Sequence, residues 1–317
     1  EISFLKQIEG NPRIVQLLEV YKAINNIDLY VVYEVLESDV HSVIRANILM
    51  DVHKRYIIWQ ILAGLKYLHS RKLIHRNLNP SNLLINSDST IKICDFGLAR
   101  TLAEGNICQN IMTEYVSTCW YRSPELIIGS NYYNEGIDMW AVGCITAELY
   151  ANKPLFPGTS TLDQMERVVA LTGPPTSTDI NSMHSEFSET IISNLKYNQP
   201  RITLKQILPT ADDDTIDFIQ RLLVFNPEKR MTVQEALEHR FVAQFHNPEE
   251  EKTCDVPIKL SLDDNKKYSV KDFRNKIYKN LLSKTPDKPV KPLENINQQT
   301  TDVRLLYEQL PSVSIYV

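Results

Sequence analysis

The sequence predicts an α+β chain, in which a short strand-bearing segment leads into a mainly helical body and then a polar extension. Three observations carry this. Two apolar segments, Ile14 to Val20 and Ile27 to Tyr33, are separated by the turn-forming Asn25-Asn26 and read as an antiparallel strand pair. From Asp51 to Ser70, Ile57, Ile61, Gly64, Leu65 and Leu68 line one face of a long helix. Beyond Pro124 the chain reads as mostly helical to about Phe245, with Asp138 to Ala151 its most apolar helix.

The remaining elements follow from the same signals. Glu1 to Ile8 has apolar positions at helical spacing and stops at Gly10-Asn11-Pro12. Leu83-Leu84-Ile85 and Ile91-Lys92-Ile93 are short strands flanking the turn Asn86-Ser87-Asp88. After Glu249-Glu250-Glu251 the chain turns polar. There Ser269 and Asp272 have capping-box spacing, and Val270, Phe273, Ile277 and Leu281 make one apolar helical face. Pro286, Pro289 and Pro292, beside Lys284, Lys288 and Lys291, suggest an extended polyproline stretch. A last short helix is expected to hold Val303, Leu306 and Leu310.

Composition narrows the function classes. A net charge of −5 and a pI near 5.9 give no footprint of a general nucleic-acid binder. Cys94, Cys108, Cys119, Cys144 and Cys254 are scattered without a C-x-x-C pair, which fits reduced thiols and neither a disulfide framework nor a zinc site. No apolar run reaches the length of a membrane span and no signal peptide opens the sequence, so a cytoplasmic protein without membrane insertion is expected.

The most informative stretch is His75-Arg76-Asn77-Leu78-Asn79-Pro80-Ser81-Asn82, followed by Cys94-Asp95-Phe96-Gly97. It resembles the catalytic loop and metal-binding turn of eukaryotic protein kinases, H-R-D-L-x-x-x-N and D-F-G. An isolated D-F-G is more often an ordinary turn. Here it lies one short hairpin after the first motif, which makes the resemblance specific. Within that family, Thr113-Glu114-Tyr115, lying ahead of Ser123-Pro124-Glu125, resembles the dual phosphorylation motif of mitogen-activated protein kinases. The runs from Pro154 to Gln164 and from Leu222 to Arg230 resemble that family's helical insert and late helices. Together they resemble its atypical branch, the mitogen-activated protein kinase fifteen type, over roughly Glu1 to Leu282.

The resemblance implies a protein-kinase-like α+β fold. Residues 1–36 would be a partial β-rich small lobe, with its helix C and last strands, and 37–248 a mainly helical large lobe with an insert at about 155–210. Residues 249–283 would be an extension with an amphipathic helix, and 284–317 a Pro/Lys linker and tail. Mg and ATP are the implied cofactors. Asn82 and Asp95 would supply oxygens to the magnesium ions that bridge the phosphates. The Glu34 carbonyl and Leu36 N–H would bond adenine, with Tyr33 behind it. Arg76 and Arg100 would meet a phosphate on Thr113, and Arg122 one on Tyr115; the family's second phosphotyrosine arginine is Cys119 here. Glu125 and Arg230 would form a buried ion pair, and Asp138 would tie the catalytic loop to the central helix. His75 and Phe96 would be packing residues. Glu249, Glu250 and Glu251 occupy the family's acidic docking patch, which otherwise is simply a solvated surface; Asn247 replaces an expected acid.

Two positions depart from the pattern on the chemistry itself. The proton-accepting aspartate is Asn77, and the lysine two residues on is Asn79. A positioned general base contributes about 10²–10⁴-fold in rate, and a preorganised electrostatic contact roughly 2–4 kcal/mol. Glu1 aligns with the glutamate that pairs with the phosphate-binding lysine, and the glycine-rich loop and V-A-I-K lysine would precede it. The expectation is therefore either a truncated sequence or a strand edge covered by a partner or by the chain's own tail. Two functions follow. One is a pseudokinase acting as a binding or scaffold protein. Its partners would be signalling proteins or, since the branch is associated with centrioles and cilia, cytoskeletal (tubulin or axonemal) ones at a cilium or basal body. The other is a proline-directed serine/threonine kinase with residual activity and a missing N-terminus.

Overall fold

The computed structural model describes residues 1–22, 29–102, 119–130, 132, 134–195, 201–259, 269–282 and 313–316. In order these form α1 (Ile2–Gln7), β1 (Leu17–Lys22), β2 (Leu29–Glu34), β3 (Ser38–Asp39), α2 (Val40–Ala46), α3 (Asp51–Ser70), β4 (Leu73–Ile74), β5 (Leu83–Ile85), β6 (Ile91–Ile93) and β7 (Arg100–Thr101). Helices then dominate: α4 (Pro124–Ile127), α5 (Gly136–Ala151), α6 (Thr161–Thr172), α7 (Ser177–Asn181), α8 (Ser188–Ser193), α9 (Leu204–Ile207), α10 (Asp213–Leu222), α11 (Val233–Leu237) and α12 (Val270–Leu282). The last element is a strand, β8 (Val313–Tyr316).

The expected strand pair forms, shifted toward the C-terminus. β1 and β2 are antiparallel from Leu17↔Tyr33 to Lys22↔Leu29, with a bulge between Leu17 and Glu19. Asn25-Asn26 lies outside the described residues. The second edge of β2 is taken by β8, in register from Val31↔Tyr316 to Glu34↔Val313, so the sheet order is β1-β2-β8. The helix expected around Val303, Leu306 and Leu310 and the Pro/Lys stretch lie outside the described residues. The hairpin β5–β6 forms over the expected residues, from Leu83↔Ile93 to Ile85↔Ile91.

α3 and α5 position the site. α3 buries Ile57, Ile58, Ile61, Leu62, Leu65 and Leu68. α5 is apolar all round because it serves two cores. Met139, Val142, Ile145 and Leu149 face the core built on α3. Trp140, Cys144 and Ala147 face a second core that includes Phe156, Met165 and Val168. The close approach of α5 to α10 requires Gly143, since a Cβ there would stand 2.8 Å from Leu223 Cδ2 and 3.0 Å from Leu222 Cβ. Gly143→Val is expected to destabilise the chain by about 1–3 kcal/mol through overpacking, read from the urea midpoint.

At α12 the capping box is made: Ser269 N–H donates to Asp272 Oδ2 (3.0 Å) and Asp272 N–H to Ser269 Oγ (3.2 Å). At the start of its apolar face Val270 and Phe273 stand exposed.

Candidate functional site

Asp138, in the first turn of α5, organises the loop between β4 and β5. Its side chain is fully buried. Its carboxylate accepts the N–H groups of His75 and Arg76, both at 2.9 Å, and bonds His69 Nε2 at 2.9 Å. This anchor holds Arg76 in the left-handed region, at φ 67°. His75 Nε2 bonds the Cys94 carbonyl at 2.9 Å, and its ring meets Phe96 edge-on at 4.9 Å. Both thus pack, and burial lowers the His75 pKa.

The loop delivers its amides onto one carboxylate. Asn77 Nδ2 donates to Asp95 Oδ2 at 2.8 Å, and Asn82 Nδ2 reaches the same oxygen at 3.1 Å. Asn82 Nδ2 also donates to the Asn77 carbonyl (2.8 Å), which leaves its Oδ1 unused by these bonds. Asn79 turns away: its Oδ1 accepts Ser81 N–H at 3.0 Å, capping the turn at 80–82, and its Nδ2 donates to the Asn77 carbonyl at 3.1 Å. Sequence reasoning did not find this cap, although an Asn before Pro-Ser is a turn signal. Beside Asp95, burial and the Asp95 charge push the Cys94 thiol up to about 12.

The Asp95 carboxylate and the Asn82 amide oxygen are hard donors that fit a magnesium ion whose other ligands are phosphate and water oxygens. Among the described residues no cluster of three His, Cys, Asp or Glu offers a fuller cage. Asn77 competes for that site, since its N–H occupies an Asp95 oxygen.

The other expected residues divide. Glu125 and Arg230 form the expected pair, both side chains at 0% exposure, with Nη1–Oε1 at 2.8 Å and Nη2–Oε2 at 3.1 Å. Tyr33 donates its hydroxyl to Glu1 Oε1 at 3.1 Å, joining β2 to the start of α1; burial and then the Glu1 charge raise the Tyr33 pKa. Glu34 ends β2 with its carboxylate accepting Lys92 Nζ (2.7 Å) and Gln16 N–H (2.7 Å), and Leu36 follows, half-buried. Arg76 and Arg122 share a cleft with Asn77, Asn79 and Tyr121. Arg100 Nη1 donates to the Ala99 carbonyl at 2.8 Å. Thr113 and Tyr115 lie outside the described residues.

Glu251 requires a correction as a docking residue, because it is interior. Its Oε1 accepts Trp59 Nε1 (2.9 Å) and Asn247 N–H (3.1 Å) and bonds His246 Nδ1 (2.8 Å), while Oε2 meets Lys66 Nζ at 3.3 Å. Only Glu249 and Glu250 remain at the surface, and Glu250 pairs with Arg13 at 3.2 Å. Burial alone would raise the Glu251 pKa, but the hydrogen bonds from Trp59, His246 and Asn247 outweigh it and hold it below the usual glutamate value. Its contribution is therefore present above the unfolded glutamate pKa and lost as pH falls through the folded one. Glu251→Gln is expected to cost about 1–3 kcal/mol at neutral pH, a gap that closes in acid unfolding curves.

The loop 75–82, the Asp95-Phe96-Gly97 turn, β2 and the Asp138 anchor have the arrangement expected of a protein kinase core, and the comparisons agree. A family model described as "Protein kinase domain" matches residues 1–242. The chain belongs to the protein kinase family. It is 44% identical over 307 residues to Extracellular signal-regulated kinase 2 of Dictyostelium discoideum, covering 95% of this chain and 82% of that protein. It is 43% identical over 288 residues to Mitogen-activated protein kinase 15 of Xenopus laevis, covering 90% of this chain and 49% of the relative. Extracellular signal-regulated kinase 7 of Drosophila melanogaster is 40% identical over 284 residues, with 88% and 31% covered. The chain thus spans about half or less of the length of these two animal relatives.

Proposed function

We propose that this chain is a pseudokinase of the mitogen-activated protein kinase type, a binding protein that uses a kinase core without useful phosphotransfer. One observation carries the reading: at the proton-acceptor position Asn77 presents an amide N–H to Asp95 Oδ2 at 2.8 Å. A carboxylate in that place could accept the substrate hydroxyl proton; an amide donates instead and accepts no proton at neutral pH. The position that would bring a cation to the transferring phosphoryl group is Asn79, which caps a turn.

Family relatives generally use ATP and Mg, and here Asn82 and Asp95 would hold the metal, which neutralises charge on the phosphates when bound. Glu34, Leu36 and Tyr33 frame the adenine end. Protein partners would meet the acidic surface at Glu249 and Glu250 or the exposed start of α12. The cytoskeletal and ciliary reading rests on the branch resemblance, and co-sedimentation with microtubules tests it.

The test of the main reading compares phosphotransfer by the full-length protein and its Asn77→Asp/Asn79→Lys double variant, on peptides with proline after the serine or threonine. The wild type should remain at background and the variant gain about 10²-fold or more. Equal turnover by the two would instead support a serine/threonine kinase that works without a carboxylate base.

A further inference from the structure

We infer that the surface around Glu250 is a guanidinium-binding site that the chain fills from within: Arg13 holds the place of a partner's arginine and closes the site to basic segments. The inference rests on the proposed reading of Glu249 and Glu250 as a partner-facing surface.

The site has three walls. The Arg13 guanidinium stands over the Trp59 ring at 5.0 Å, its Nη1 donates to Gln60 Oε1 at 2.6 Å, and its Nη2 meets Glu250 Oε2 at 3.2 Å. An aromatic face with a neutral acceptor and a carboxylate at its edge suits a planar guanidinium better than an ammonium. Each wall is itself fixed. Trp59 Nε1 donates to the interior Glu251 at 2.9 Å. Gln60 Oε1 also accepts Ile91 N–H (3.0 Å), and Gln60 Nε2 donates to the Ser89 carbonyl (2.7 Å). Glu250 Oε1 accepts Asn247 Nδ2 at 3.0 Å, so both oxygens of that carboxylate are engaged.

Arg13 is held in place by its backbone. Its N–H donates to Asn11 Oδ1 and its carbonyl accepts Ile93 N–H, both at 2.9 Å. It lies close against α3 where Gly64 leaves room, since a Cβ there would stand 3.3 Å from Arg13 Cβ. An incoming arginine must therefore displace the side chain alone, and that strands a cation only 9% exposed without its carboxylate. The Glu250 side chain, 54% exposed, is otherwise open to solvent. With Glu250 paired to Arg13 and Glu251 to Lys66 at 3.3 Å, the run 249–251 offers a basic segment less charge than its sequence suggests.

The test is the affinity of the full-length protein for a short fluorescein-labelled peptide of arginine and leucine, read by anisotropy. Glu249 and Glu250 are both exposed, so changing either leaves the fold intact. Glu249→Gln is expected to weaken binding about threefold, and Glu250→Gln by less than about 1.5-fold, because its carboxylate is already taken. Arg13→Gln should raise affinity about threefold or more, and in that background Glu250→Gln should now cost about threefold. The same peptide with lysine in place of arginine should gain less from Arg13→Gln. Equal losses for Glu249→Gln and Glu250→Gln in the otherwise native chain would overturn the inference, even if Arg13→Gln failed to fold. So would one and the same Glu250→Gln effect in both backgrounds, which would mean that charge acts at a distance and Arg13 occupies nothing. Equal gains for the lysine and arginine peptides would overturn the assignment to a guanidinium. A peptide that binds no variant would overturn the partner-facing reading and the inference with it, and phosphotransfer is tested separately from all of these.

Discussion

Arg230→Met is expected to destabilise the protein by about 3–5 kcal/mol, because it strands the Glu125 carboxylate in a site with no exposure to water. Arg230 pairs with the Glu125 carboxylate through both Nη atoms, and it also donates to the carbonyls of Gly136 (2.6 Å), Val224 (3.1 Å) and Phe225 (3.4 Å) and stacks over Trp140 at 5.2 Å. Removing it frees a charge and three carbonyls together. The double change Arg230→Met/Glu125→Leu should recover most of the loss, since neither charge is then left buried. Urea unfolding of the three variants measures this. A single-variant loss below about 1 kcal/mol would show that water reaches Glu125 once the guanidinium is gone.

Asp138→Ala should cost a similar amount, about 3–5 kcal/mol, by orphaning the His75 and Arg76 N–H groups and His69 Nε2 in the interior. It should also release Arg76 from its left-handed backbone and let the loop carrying Asn77 move. Burial alone would raise the Asp138 pKa, but the His69 hydrogen bond and charge, with His75 beyond, hold it below the usual aspartate value. Its contribution is therefore complete above the unfolded aspartate pKa and fades only as pH falls through the lower folded value. Wild type and Asp138→Ala should differ in stability throughout the neutral range and converge only in strong acid. A difference that vanished already near pH 6 would assign the effect to a histidine instead.

The parts of the fold set by local periodicity were legible in the sequence. α3 begins and ends where its apolar spacing does, at Asp51 and Ser70, and the β5–β6 hairpin matches its turn residues. α5 was recognisable as the most apolar helix, though its division between two cores was not, because that depends on what α6 and α10 bring to it. The strand pair was displaced because a bulge in β1 and the pairing of Glu34 with Gln16 set its register. Glu251 looked solvated within an acidic run, and its burial depends on Trp59, 192 residues away. β8 gave no usable signal, since a short apolar segment becomes a strand only where an edge accepts it. At the site, Asn77, Asn82 and Asp95 were named from their motif, but the sharing of one Asp95 oxygen by two amides needed coordinates.

The turn capped by Asn79 bears on what a change at this loop costs the fold. Lysine at 79 has no side-chain acceptor for Ser81 N–H, and losing a cap costs about 0.5–2 kcal/mol. Asn77→Asp made alone would set a second carboxylate against Asp95 without a new cation nearby. Each change made alone thus costs stability, the first by removing a cap and the second by crowding like charges. A lysine at 79 beside an aspartate at 77 would bring opposite charges onto one loop, so the two positions are expected to couple in stability as well as in chemistry.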